Sequence, residues 1–221
     1  MQVDEAILAR KSVRAFLDKP VARETIDHIL EVARYAPSGT NTQPWKVVVL
    51  SGEPMHDLQQ QIITHFNEQG QGKADYDYYP QEWRSPYLDR RRACGLQLYK
   101  TLGITREDKE RQREQWVANY HAFGAPVMLL FFMDKDLGAG SFMDYGMFLQ
   151  SVMLAAQGAG LATCPQASVA DYPDIVRKFL GYSDTQIMLC GIALGYEDKE
   201  ALVNSYRTPR EPLTNFVEYF E

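Results

Sequence analysis

The chain has 221 residues, of which 45% are hydrophobic and 24% charged, with a net charge of −6. That is the balance of a globular protein with a single core, and the acidic surplus argues against a nucleic-acid partner. No apolar run reaches the roughly 18 residues that span a bilayer, so no membrane partner is expected.

The N-terminus, Met1-Gln2-Val3-Asp4-Glu5, lacks the apolar core of a signal peptide. Val3–Ala9 shows a short helical face. In Arg10-Lys11-Ser12-Val13-Arg14, the residues Arg10, Ser12 and Arg14 alternate. An extended backbone would turn all three to one side, where guanidinium forks and a hydroxyl suit a phosphate. The other reading is a solvated basic patch. Val21–Tyr35 has helical spacing. Pro37 ends it, and Pro37-Ser38-Gly39-Thr40-Asn41-Thr42-Gln43-Pro44-Trp45 packs amides and hydroxyls into one short connection. Gly39 is the residue expected to supply a positive φ or a close approach to a ligand. Such a loop, between an apolar helix and the strand Trp45–Leu50, suits a ring rich in donors and acceptors.

Pro54–Phe66 reads as a helix. Asn67–Pro86 is irregular, Arg84–Arg92 is a basic cluster with aromatics, and Thr105–Tyr120 is a charged helix. Residues 67–120 are therefore expected to form an insertion, a lid over the substrate, within a single domain spanning 1–221. Val127–Phe132 is a buried strand, and Ser141–Gly160 a helix apolar nearly all round, buried in the core or between subunits. Thr163–Ser168 reads as a second polar connection. Asp171 is placed to cap a helix Tyr172–Leu180, and Gln186–Gly195 is a buried strand. The tail Phe216-Val217-Glu218-Tyr219-Phe220 is an aromatic end that needs covering. The three cysteines, Cys94, Cys164 and Cys190, are odd in number and widely spaced. They predict reduced thiols and a cytoplasmic setting. The four histidines are scattered, with no CxxC or HExxH spacing, so no metal is expected. No GxGxxG or GxxxxGK[ST] phosphate loop occurs.

Arg10–Arg14 and Pro37–Trp45 together resemble the FMN-dependent nitroreductase family, reinforced by Gly124-Ala125-Pro126, Pro165-Gln166-Ala167 and Arg210-Glu211-Pro212-Leu213. The 67–120 insertion is most similar to the nitrobenzoate-reductase branch. The resemblance implies an α+β fold with a mixed central β-sheet flanked by helices, in an intertwined homodimer with FMN in the subunit interface. It implies that Arg10, Ser12 and Arg14 hold phosphate and ribityl with Arg210, and that Lys11 adds a polar contact. Pro37, Ser38, Gly39, Asn41 and Gln43 would reach the FMN of the other subunit. Pro165, Gln166 and Ala167 would lie along the ring, and Asn119 stands near the place of a family asparagine that meets it. Where members carry a Glu-Gly pair, this chain has Gln166-Ala167, a neutral contact.

Flavin chemistry needs no catalytic side chain, and none is assigned. Donors near N1 stabilise the reduced ring, and Lys11 or Arg10 would serve. The implied activity is reduction of nitroaromatic or quinone-type acceptors with NADH or NADPH by ping-pong hydride transfer. Two other readings stay open: a same-scaffold flavoenzyme such as a dehydrogenase, dehalogenase or flavin-fragmenting enzyme, and a non-enzymatic flavin-binding module. Tyr76, Tyr78, Tyr79, Trp83 and Tyr87 either stack on an aromatic substrate or only fasten the insertion. Arg84–Arg92 either anchors a substrate carboxylate or is a solvated face.

Overall fold

The computed structural model describes residues 1–221. The elements are α1 (Val3–Ala9), α2 (Arg23–Ala33), β1 (Lys46–Ser51), α3 (Gly52–Gln69), α4 (Tyr87–Leu102), α5 (Lys109–Tyr120), β2 (Val127–Asp134), α6 (Ala139–Gly158), β3 (Ala162–Gln166), α7 (Pro173–Leu180) and β4 (Gln186–Gly195). The strands form one sheet in the order β1-β2-β4-β3. All three pairings are antiparallel, and the parallel component is a single bridge from Ser12 to Thr163.

β2 reads as an unbroken apolar run because helices cover both faces of the sheet. Met128, Leu130 and Phe132 face one way, into a core with Leu58 and Ile62 of α3 and Val176 of α7. Val127, Leu129, Phe131 and Met133 face the other way, against Ile26 and Ile29 of α2 and Phe148 and Val152 of α6. Phe131 opposes Cys190 but Phe132 opposes Met188, so Leu189 is the extra residue of a β-bulge. β3 pairs only with Gly191–Gly195, leaving the bulged half of β4 without a strand on that side. Residues 75–76 fill the gap. The Met188 N–H donates to Asp75 Oδ2 at 2.9 Å, and the Tyr76 hydroxyl donates to the Leu189 carbonyl at 2.6 Å. Asp75 also accepts from Arg177 at 2.6 Å.

Three local expectations change. Ala162–Gln166 is a strand, not a loop, and Pro165 is tolerated because β3 is an edge strand. Asp171 does not cap α7. Tyr172 occupies that position with Pro173 opening the helix, while the Asp171 carboxylate accepts from Gln71 at 2.8 Å. Helix α4 covers most of the Arg84–Arg92 cluster and runs on to Leu102. None of its residues is buried, so it carries no apolar stripe to mark it.

Candidate active site

The segment Arg10–Phe16 runs extended beside β3. The Val13 N–H donates to the Thr163 carbonyl at 3.0 Å. Buried Asn204 fixes its other side: Oδ1 accepts from the Arg14 N–H at 2.8 Å, and Nδ2 donates to the Ala15 and Asp198 carbonyls. Alternation then sorts the side chains. Arg10, Ser12 and Arg14 all lie near the Cys164 thiol. Lys11 turns away, donates to the Asn204 carbonyl at 2.6 Å and pairs with Glu197 at 2.7 Å. Lys11 therefore does not join the group that the sequence reading placed around it.

Arg10 is the centre of a cationic cluster. Its Nε is buried without a hydrogen-bond partner. Burial, and then the neighbouring Arg210 and Arg207 charges, push its guanidinium pKa below the ordinary value. Arg207 donates to the Arg10 carbonyl at 2.6 Å, and Arg210 donates to the Thr208 carbonyl and hydroxyl. None of the three pairs with a carboxylate. Three guanidinium groups held together without a counter-ion, one with an orphaned donor, form an anion clamp. Sequence reasoning found Arg10 and Arg210 but missed Arg207 and Asn204. The signal for Arg207 was its place in the same basic tail, while Asn204 lies in no motif.

Farther along β3, Gln166 is buried. Its Nε2 donates to the Asn119 carbonyl at 2.5 Å, while its Oε1 is a buried acceptor without a donor. Ser168 donates to Asn119 Oδ1 at 3.3 Å, so Asn119, Gln166 and Ser168 form one polar corner. Pro165 is exposed on the strand. Burial pushes the Cys164 thiol up to about 11, which makes it inert at neutral pH. A cleft of about 580 Å³, lined in part by Asn119, Ala167 and Ser168, opens beside this corner. A second of about 630 Å³ adjoins Pro165, Gln166 and Ala167. Tyr76, Asp77 and Tyr78 line both.

The Pro37–Trp45 loop lies at the opposite edge of the sheet. Trp45 stacks on Phe148, with ring centroids 4.7 Å apart, and the Gly39 N–H donates to Asp144 Oδ1 at 3.1 Å. Ser38 Oγ accepts from the Gln43 N–H at 2.9 Å. The positive φ angles expected at Gly39 fall instead on Thr40 (50°), Asn41 (60°) and Gln43 (51°). Each such residue stores about 1 kcal/mol or more of strain. Pro37, Gly39, Asn41 and Gln43 are exposed, while Ser38 is half-buried. With two strands between β1 and β3, the loop and the anion clamp flank sheet edges about 14 Å apart by strand spacing.

An anion clamp, an edge strand with an orphaned acceptor and a strained polar loop are the features of a site built to hold a cofactor. The chain belongs to the nitroreductase family, whose sequence profile matches residues 7–196. It is 39% identical to 4-nitrobenzoate reductase of Pseudomonas putida over 217 residues, 98% of this chain and 94% of the relative. It is 37% identical to the chloronitrobenzene nitroreductase of Comamonas testosteroni over 218 residues, 98% and 96% of the two chains. The crystal structure of the FMN-dependent nitroreductase NfnB from Mycobacterium smegmatis in complex with NADPH superposes with a TM-score of 0.94. It is 33% identical and covers 99% of this chain and 97% of that one.

Proposed function

We propose that the protein is a cytoplasmic, FMN-dependent NAD(P)H oxidoreductase that reduces nitroaromatic or quinone-type acceptors. The observation that carries this reading is that two of the three orphaned buried side-chain atoms, Arg10 Nε and Gln166 Oε1, lie along β3, while the third, Gln59 Nε2, belongs to α3. FMN offers a phosphate for the first and a ring N–H for the second. Arg10, Arg207 and Arg210 hold the phosphate, and Ser12 and Arg14 line the path along β3. Pro165, Gln166 and Ala167 flank the ring, and the Asn119–Ser168 corner fixes the Gln166 amide. Gln166 is neutral, so it orients the ring without adding charge. FMN bound there would supply the redox chemistry, a two-electron transfer from reduced nicotinamide to the acceptor in which the hydride carries one proton and solvent gives the second.

Pro37, Ser38, Gly39, Asn41 and Gln43 serve the FMN of a second copy. The separation of the two sheet edges supports this, as do the strain in the loop and its exposed polar groups. Apolar surface supports a homodimer as well. Val3 and Leu8 of α1, Met143 of α6 and the tail residues Phe216, Tyr219 and Phe220 are all exposed in one chain. Residues 1–221 act as one domain, with 67–120 inserted over the site.

The test begins with flavin released from denatured protein, which should be FMN and not FAD. NADPH should bleach the bound flavin under nitrogen, and a nitroarene should restore its colour. Initial rates against both substrates should give parallel lines. Converging lines, or FAD in the supernatant, would overturn the reading.

A further inference from the structure

The cleft beside Asn119 and Ala167 has features that flavin binding does not use. Its wall is aromatic: Tyr78 and Tyr79, which line it, pack edge to face at 4.7 Å, and Trp83 supports Tyr79 from outside the cleft at 5.6 Å. Arg91, in the first turns of α4, lies with its guanidinium carbon 5.0 Å from the centre of the Trp83 ring, a cation–π contact that restrains it. Arg91 and Lys73 both line the cleft, and neither pairs with a carboxylate. Two acids share the space, Asp77 and Asp171. Asp171 is taken up by Gln71, and its burial disfavours the charged form. Aromatic faces at the flanks, with a planar fork of donors at one wall, suit a flat molecule with an anionic end.

We infer that this cleft selects aromatic acceptors that carry a carboxylate, with Arg91 and Lys73 binding the carboxylate and Tyr78 and Tyr79 flanking the ring. The inference rests on the nitroaromatic reading above and names the substrate class for it. Arg91 is the specificity residue, because its fork can grip both oxygens. Lys73 adds a point charge.

The test compares 4-nitrobenzoate with neutral 4-nitrobenzamide, of nearly the same shape. Binding of each to oxidised holoenzyme is measured by calorimetry, for wild type, Arg91→Gln and Lys73→Gln. A charge-assisted hydrogen bond is worth roughly 1.5–3 kcal/mol, so wild type should prefer the benzoate by about tenfold or more. Arg91→Gln should collapse that ratio, with Lys73→Gln reducing it less. Helix α4 buries none of its residues, so Arg91→Gln should fold normally. Three results would overturn the inference. Wild type could bind the two ligands equally. Arg91→Gln could weaken both alike, which is a structural role. Or it could erase a preference for NADPH over NADH while sparing the benzoate, which would assign the cations to the nicotinamide's extra phosphate. Failure of NADPH to bleach the flavin would sink the proposed function alone, because the calorimetric ratio reads charge selection without turnover.

Discussion

Replacing Asp75 by alanine tests whether the start of the insertion is a moving lid or part of the core. Asp75 Oδ2 accepts from Arg177 Nη1 at 2.6 Å and from the Met188 N–H at 2.9 Å, and only 11% of the Arg177 side chain is exposed. Alanine would leave a buried guanidinium and a bulge N–H without this acceptor. Breaking such a buried pair costs about 3–5 kcal/mol. The lower end applies here, because Asp174 still holds Arg177 Nη2 at 2.6 Å, although that carboxylate is 93% exposed. In a chain of this size each kcal/mol lowers Tm by roughly 2–4 °C, so the expected fall is about 6–12 °C. Thermal unfolding of FMN-saturated protein by circular dichroism would measure it. Asp75→Asn should fall between the two, because its amide oxygen still accepts from Met188. A second anchor points the same way: a Cβ on Gly72 would sit 2.2 Å from the Asp171 carbonyl, so the backbone is in close contact there. If Asp75→Ala lost under 2 °C, the segment up to Tyr76 would be only loosely attached. The lid reading would then hold for all of it.

Arg207→Ala should weaken FMN binding by about tenfold or more, at roughly 1.5–3 kcal/mol for a charge-assisted bond. Lys11→Met should leave FMN affinity within about twofold, because Lys11 is engaged with Glu197; fluorescence titration of apoprotein checks both. A thiol reagent at pH 8 should label Cys94 quickly. Burial pushes the Cys164 and Cys190 thiols up to about 11 and about 12, so both should react only on unfolding. Burial also raises the Asp171 pKa, so its contribution to stability is present below the ordinary carboxylate range and is lost as pH rises through the folded value. Asp171→Asn keeps an acceptor for Gln71, and its Tm should gain on wild type between pH 4 and pH 8.

The elements that sequence exposed best were those whose burial pattern is local. β2 needed no partner information, since seven of its eight residues are buried and apolar. The apolar stripes of α2 and α3 likewise belong to helices with one core-facing side. Helix α4 was missed for the opposite reason: with nothing buried, its residues follow no period. β3 was hidden by Pro165, which removes a donor from an edge where none is required. Asp75 and Tyr76 sit in a stretch of Gly, Asp, Tyr and Pro that resembles any surface loop. Their role appears only when the bulge in β4 presents a backbone N–H and carbonyl to them.

The site divides along the same line. Alternation within Arg10–Arg14 was visible because an extended strand has a period of two, and that period alone separates Arg10, Ser12 and Arg14 from Lys11. What it could not supply is the partner of each side chain. Lys11 looked as available as Arg10 until Glu197, 186 positions later, came to lie 2.7 Å from it. Arg207 became part of the clamp only because Asn204 tethers the tail to the Arg14–Ala15 backbone. Local spacing thus sets which side chains share a face, and long-range pairing decides which charges stay free. In this chain Arg10, Arg207 and Arg210 are left without counter-ions, and that is the ground on which a ligand phosphate is proposed there.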